Sequence, residues 1–238
     1  MPDESKLDAV QTSTARRYRY FLDIVLLILI LFAIDAAAEA IYRPKTEEGG
    51  WIFALIVQVF ELAAACALIW FRRERLADIG LKRPPNWRRA IGIGIAFAAI
   101  AFALIFLSEK AGIHRELSRF ASLQGNLRLT IVTVFYVLLG AGFYEEFMYR
   151  GFLMESLAMF FGGNRAAWWA AAIIQALLFG ASHAYQKPIG MLITGALGFL
   201  LAALVIFCGR NLWAAIIAHG LFDASRCVLF YFTGPPGS

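Results

Sequence analysis

Two adjacent carboxylates, Glu145 and Glu146, lie with Arg150 inside a long apolar stretch of the sequence. An ionisable side chain in hydrocarbon costs free energy unless it is paired or faces a polar cavity, so such residues are functional candidates. If the stretch is α-helical, Glu146 and Arg150 share a face and form a pair. Glu145 then points in another direction, and its carboxylate remains free for chemistry. The simpler alternative is a polar patch at a helix end, from which Arg150 reaches the membrane interface.

Two of the three histidines lie in later apolar stretches, where helical geometry can bring them close to Glu145. Glu145 and His183 are equally far in sequence from Asn164, which ends a Gly-Gly-Asn turn signal. On an antiparallel helical hairpin that turns there, both residues lie at the same depth. His219 and Asp223 are four positions apart and share one face of the last helix. The sequence therefore predicts that three helices present polar side chains to one intramembrane site.

A glutamate and two histidines can activate water with or without a metal ion. Without a metal, Glu145 accepts a proton from water, His183 orients that water, and His219 donates to the oxyanion of the tetrahedral intermediate. With a metal, Glu145, His183 and His219 could be three zinc ligands with water in the fourth position. Glu146 or Asp223 would then support the ligands. Both alternatives remain open from the residues alone.

The sequence offers little support for other sites. It contains no His-Glu-x-x-His, Gly-x-Ser-x-Gly or Gly-x-Gly-Asp motif. Ser182 lies beside His183, but adjacent side chains on a helix do not face each other, and Ser182 with His219 is a minor alternative. A transporter could use the same groups as a proton relay, but no internal repeat is visible.

The composition indicates an all-α, polytopic transmembrane helix bundle. Of 238 residues, 61% are hydrophobic and 16% are charged, and several apolar runs are long enough to span a bilayer. Turn signals divide these runs into about seven spans, or eight if one further segment enters the bilayer, with an interfacial amphipathic helix within residues 111–126. The three scattered cysteines predict neither a disulfide framework nor a Cys-type zinc site.

The basic residues predict the orientation of the chain in the membrane. The net charge is +5, but these residues lie in short loops, so no nucleic-acid partner is expected. The densest basic loop, residues 72–89, is predicted to be cytoplasmic, and so is the N-terminus. We divide the chain into a polar cytoplasmic N-terminus over residues 1–19, N-terminal spans with the basic loop and interfacial helix over residues 20–126, and a catalytic core over residues 127–233.

The three motifs together resemble those of the CPBP family, also called the Abi family, which unites CAAX prenyl endopeptidases with bacteriocin-processing and immunity proteins. The resemblance covers about residues 129–232, and the motifs occur in the family's order on successive spans. It implies an intramembrane endopeptidase. The family's catalytic positions correspond to Glu145, His183, His219 and Asp223, and its supporting positions to Glu146, Arg150 and Phe179.

The resemblance implies hydrolysis of a peptide bond in a membrane-associated or prenylated CAAX-type protein or peptide, at the lipid bilayer of a bacterial-type plasma membrane. The family is described as metallopeptidase-like, while a metal-independent glutamate mechanism is also considered, so zinc remains an open cofactor. Many relatives have Asn where this chain has Asp223, and an ionised Asp cannot donate to an oxyanion. Asp223 would instead orient His219, bind a cation or act while protonated. The alternative function is a non-catalytic immunity or scaffold protein that binds a partner through the same pocket.

Overall fold

The structure, a computed structural model, describes residues 4–236, and within that range it contains helices and no strands. A π-helix, Val137–Leu153, continues directly from the fourth α-helix into the fifth. Two 3₁₀ helices, Ser118–Leu123 and Ala184–Gln186, lie in the connections. The α-helices are α1 (Glu4–Ile41), α2 (Glu47–Phe71), α3 (Trp87–Lys110), α4 (Leu127–Tyr136), α5 (Met154–Phe160), α6 (Arg165–Ser182), α7 (Lys187–Phe207) and α8 (Trp213–Thr233).

Within the described range, six helices are long and apolar enough to cross a membrane. The prediction of an all-α polytopic membrane protein is thereby confirmed. These segments are Thr14–Ile41, Glu47–Phe71, Trp87–Lys110, Leu127–Phe160, Ala184–Phe207 and Trp213–Thr233. The fifth predicted span, which begins near Arg165, corresponds to α6, which packs against α5 and α7 but is not among the six. It has only 18 residues, and Arg165, Gln175 and Ser182 lower its mean hydropathy.

The segment predicted as an interfacial amphipathic helix, residues 111–126, is mostly irregular. Its only helical part is the short 3₁₀ helix Ser118–Leu123. Gly112 and Gly125 adopt φ values of 82° and 69°, a left-handed conformation that ends helices. Leu123 is buried against the bundle, so the segment packs onto the protein and does not lie free in the interface. These observations correct the prediction.

The helix α1 is continuous through the boundary that we predicted between a polar N-terminus, residues 1–19, and the first span. The first three residues of that segment lie outside the described range. Asp23, just after this boundary, contacts Arg72 at the end of α2, with 3.4 Å between Asp23 Oδ2 and Arg72 Nε. The Arg72 Nη1 atom also lies 3.5 Å from Glu155 Oε2 and donates to Ser156 Oγ at 2.9 Å. This buried arginine therefore ties α1 and α2 to α5.

One end of the bundle is formed by the basic loop and the connection between α7 and α8. Leu212 N donates to Gly80 O at 3.1 Å, and Asn211 Nδ2 donates to Lys82 O at 2.8 Å. We call this the basic-loop end. At the opposite end, the irregular segment after α3 contacts the other helix termini.

The contacts at the opposite end fix the segment that later lines the site. Gly125 N donates to Tyr231 O at 2.9 Å near the end of α8. Glu116 N donates to Gln186 O at 3.3 Å at the start of α7. The segment after α3 is therefore held against α7 and α8.

The helix α8 lies at the centre of the bundle, where it packs against α3, α4 and the π-helix. A Cβ atom built at Gly142 would lie 2.8 Å from Gly220 Cα, so the π-helix and α8 touch backbone to backbone. Gly94 of α3 approaches α8 similarly, because its Cβ would lie 2.8 Å from Ile217 Cγ2. Small residues at such crossings allow close packing in membranes. The crossing at Gly220 brings His219 next to the glutamates of the π-helix.

This crossing predicts opposite effects for two glycine substitutions. We expect Gly142→Ala to lower the free energy of unfolding by about 1–3 kcal/mol, because the added methyl group overlaps the α8 backbone. Gly92→Ala on α3 is the matched control, since a Cβ there meets nothing within 4 Å. Its unfolding free energy should rise by about 0.5–1 kcal/mol through helix propensity. Reversible unfolding in detergent measures both, and equal effects would contradict the close crossing.

Candidate active site

The glutamate motif lies in the π-helix Val137–Leu153, where we predicted an α-helix. A π-helix bonds residue i to i+5 and has more residues per turn, so adjacent side chains diverge by a smaller angle. The predicted pair is present, with 2.9 Å between Arg150 Nη1 and Glu146 Oε1. Both side chains are completely buried.

His219 of α8 lies between both glutamates. Its Nδ1 atom is 2.7 Å from Glu146 Oε1, and its Nε2 atom is 3.9 Å from Glu145 Oε2. We predicted that Glu145 would point away from Glu146, but the π-helix brings both carboxylates to one imidazole. Glu146 forms an ion pair with Arg150, so its carboxylate serves as the acceptor for a proton on Nδ1 of His219.

The Nε2 atom of His219 also faces Asp223, one helical turn further along α8. The distance to Asp223 Oδ2 is 3.4 Å, longer than a strong hydrogen bond. Asp223 therefore lies on the same side of the ring as Glu145, while Glu146 holds the opposite side. This arrangement fits the predicted orienting role of Asp223.

Arg150 is held by more than its carboxylate partner. Its Nη2 atom donates to Gly198 O of α7 at 3.2 Å, and its guanidinium lies 4.2 Å from the ring centroid of Phe179. Gln175 Nε2 donates to the same Gly198 carbonyl at 3.2 Å. A Cβ at Gly198 would lie 2.8 Å from Phe179 Cδ1 and 3.1 Å from Arg150 Nη2. Sequence reasoning missed Gly198 and Gln175, although a glutamine within the apolar α6 was a usable signal.

Phe179 lies between the two histidines. Its ring centroid is 4.7 Å from that of His183 and 6.0 Å from that of His219. His183 follows the last residue of α6, and its Nδ1 atom lies 2.8 Å from the Phe179 carbonyl oxygen. A carbonyl can only accept, so Nδ1 of His183 carries the proton and Nε2 is left for other partners. Ser182 Oγ donates to the same carbonyl at 2.8 Å, which gives no support to a nucleophilic serine.

A cavity between α3, α6, α7 and α8 contains His183, His219 and Asp223 in its wall. Arg115 and Arg226 also line it. Glu145 is not part of this lining and makes no hydrogen bond or ion pair with His183 in the described structure. It reaches the site through His219 instead. The structure thus brings together His219, both glutamates and Asp223 directly, and His183 through Phe179 and the shared cavity.

The predicted zinc ligands were tested against this geometry. In the described part of the chain, no three His, Cys, Asp or Glu side chains are arranged to hold one metal ion. The Nδ1 contacts to Glu146 and to a backbone carbonyl leave Nε2 of both rings open, as in metal-ligating histidines, but Glu145 does not line the cavity that His183 and His219 share. Glu145, His183 and His219 in this arrangement therefore do not fit a three-ligand zinc site.

The buried pair predicts strong coupling between Glu146 and Arg150. We expect Arg150→Met and Glu146→Gln each to lower the free energy of unfolding, Arg150→Met by about 3–5 kcal/mol, because it leaves a carboxylate buried without its partner. The double variant should be less destabilised than the sum of the two, by about 0.5–3 kcal/mol. Arg128→Met is the control, since its pair with Glu48 is solvent-facing on the arginine side and contributes about 0–1 kcal/mol. Additive effects in a double-mutant unfolding cycle would contradict the coupling.

Comparison with protein families gives one match. Residues 127–225 match the family described as type II CAAX prenyl endopeptidase Rce1-like. Comparisons with curated proteins and with solved structures found no match. The matched range contains the π-helix motif, both site histidines and Asp223. Over residues 127–225, the chain is therefore similar to the Rce1-like type II CAAX prenyl endopeptidases.

Proposed function

We propose that this protein is an intramembrane endopeptidase that hydrolyses a peptide bond of a membrane-associated, CAAX-type protein or peptide. One observation carries the proposal: His219 is held by Glu146 at Nδ1 while Glu145 and Asp223 face its Nε2. A positioned base beside an oriented imidazole is an arrangement that activates water. The family match supports protease activity on a membrane-associated substrate.

In the proposed mechanism, water lies between Glu145 and His219. The separation of 3.9 Å between Glu145 Oε2 and His219 Nε2 suits a bridging oxygen better than a direct bond. Glu145 accepts a proton from this water while the water oxygen attacks the scissile carbonyl carbon. Glu145 later returns the proton to the leaving amine.

The two histidines and Asp223 have separate proposed roles. His219 has carboxylates at both ring nitrogens, so it is placed to donate from Nε2 to the oxyanion that forms on the carbonyl oxygen. Asp223 orients that edge of the ring. His183 lines the cavity with Nε2 available, and it orients the substrate or water from the side of α6. Protein side chains alone carry out each of these proposed steps.

Peptide cleavage by purified protein tests this assignment. We expect Glu145→Gln to lower kcat by at least about 10²-fold, because the amide cannot accept the proton of water. Glu39→Gln is the matched control, as this glutamate is exposed on α1 and lines a different cavity from the one that contains His219. We also expect activity to persist in chelator.

Three results would count against the assignment. Full activity in Glu145→Gln would remove the proposed base. Reversible loss of activity in chelator would favour a metal mechanism. If the wild-type protein cleaves no peptide, with or without a prenyl group, the non-catalytic immunity or scaffold function is the better explanation.

The proposed orientation places the N-terminus and the basic loop in the cytoplasm. The cavity is lined from the opposite end of the bundle by Leu117 and Phe120. In a variant without the native cysteines, Ser118→Cys should react with a membrane-impermeant maleimide added to intact cells. Arg83→Cys in the basic loop should react only after permeabilisation. The reverse labelling pattern would overturn the orientation, because both residues are exposed.

A further inference from the structure

The cavity of the candidate site extends from His219 to two arginines that the proposed mechanism does not use. Arg115 comes from the irregular segment after α3, and Arg226 lies on α8 after Asp223. Their exposed fractions are only 7% and 3%. Burying two guanidinium groups beside the imidazole of His219 costs free energy unless acceptors pair with their N–H donors.

The carboxylates near Arg115 and Arg226 do not pair with all of the N–H donors of these two guanidinium groups. Arg226 Nη2 contacts Glu109 Oε1 at 2.6 Å, but Nε and Nη1 of Arg226 are buried without a hydrogen-bond partner. Arg115 makes no ion pair with any described residue, and its Nε is also buried without a partner. Asp223 is the other carboxylate nearby, and it faces His219. Three buried cationic donors therefore lack an acceptor.

Aromatic rings hold these guanidinium groups in place. Arg115 lies 5.8 Å from the ring centroid of Phe222, and Arg226 lies 4.7 Å from that of Phe230. A fixed, planar guanidinium group matches the two oxygens of a carboxylate. The two arginines therefore give the wall of the cavity unpaired donors that suit a carboxylate.

We propose that Arg115 and Arg226 form a subsite that binds a carboxylate of the peptide substrate. This inference rests on the proposed peptidase function. Arg226 follows His219 by seven residues on one helix, a rise of about 10 Å. An extended peptide covers that distance in about three residues. This span fits the proposed CAAX-type substrate, with the subsite holding either its C-terminal α-carboxylate or an acidic side chain at that position.

Binding to the Glu145→Gln protein tests the subsite without turnover. The probe is a fluorescein-labelled, farnesylated peptide that ends in Cys-Val-Leu-Ala with a free carboxylate. We compare it with the same peptide amidated at its C-terminus, and with an amidated peptide that ends in Glu. Fluorescence anisotropy should show at least about tenfold tighter binding of the free acid than of the first amide, by analogy with other charge-assisted contacts.

Second-site variants then assign the carboxylate to the arginines. Adding Arg115→Gln or Arg226→Gln should reduce the affinity for the free acid to about that of the amide, while Arg115→Lys should retain part of the preference. Arg128→Gln, an exposed arginine outside the cavity, should keep the full preference. Thermal unfolding and gel filtration of each variant identify any loss that comes from misfolding. If the amidated peptide ending in Glu binds as tightly as the free acid, the proposed subsite is supported and it accepts an acidic side chain.

Two results would overturn the subsite. The first is equal affinity of the Glu145→Gln protein for the free acid and both amides. The second is full retention of the preference in folded Arg115→Gln and Arg226→Gln variants. Failure of the peptidase function is a separate outcome, because it would show as absence of cleavage by the wild-type protein whatever the binding preference.

Discussion

The buried ion pair of Glu146 and Arg150 is the interaction on which the rest of the site depends. Removing two charges from water costs several kcal/mol per ion, and their attraction repays this only when the remaining polar groups are also satisfied. Here the carboxylate also binds His219, and the guanidinium binds the Gly198 carbonyl and the face of Phe179, although Glu146 Oε2 and Arg150 Nε are buried without a hydrogen-bond partner. The pair therefore ties the π-helix to α6, α7 and α8 and fixes the imidazole at the same time.

Such short side-chain contacts require close backbones. The π-helix and α8 touch at Gly142 and Gly220, and α7 offers Gly198 where Arg150 and Phe179 need room. A side chain at Gly142 or Gly198 would push apart the groups that hold His219. The helix crossings and the polar network are thus one constraint, since the polar groups reach each other only because the helices lack side chains at these points.

Much of the architecture follows from patterns in the sequence. Apolar runs and turn signals predicted the helices, and the spacing of Glu146 and Arg150 predicted their pair. The equal sequence distances of Glu145 and His183 from Asn164 predicted a common depth for the two residues. These features are local or depend only on helix length, so a single sequence specifies them well.

Other features depend on tertiary contacts that no spacing rule contains. The π-helix turned Glu145 towards His219, and nothing in the local sequence distinguishes it from an α-helix. Gly198 contributes a backbone carbonyl, which is invisible in a sequence. Arg115 lies in a segment that we predicted as an interfacial helix, and two left-handed glycines instead allow that segment to fold back over the cavity.

The central claim is that Glu146 orients His219 for hydrolysis without touching the substrate. Steady-state cleavage by Glu146→Gln, measured where the variant remains folded, tests it most directly. The account predicts that kcat falls by about 10²- to 10⁴-fold, as when the partner of a catalytic histidine is neutralised, while KM changes little. An unchanged kcat in the folded variant would contradict the claim, because His219 would then need no carboxylate at Nδ1.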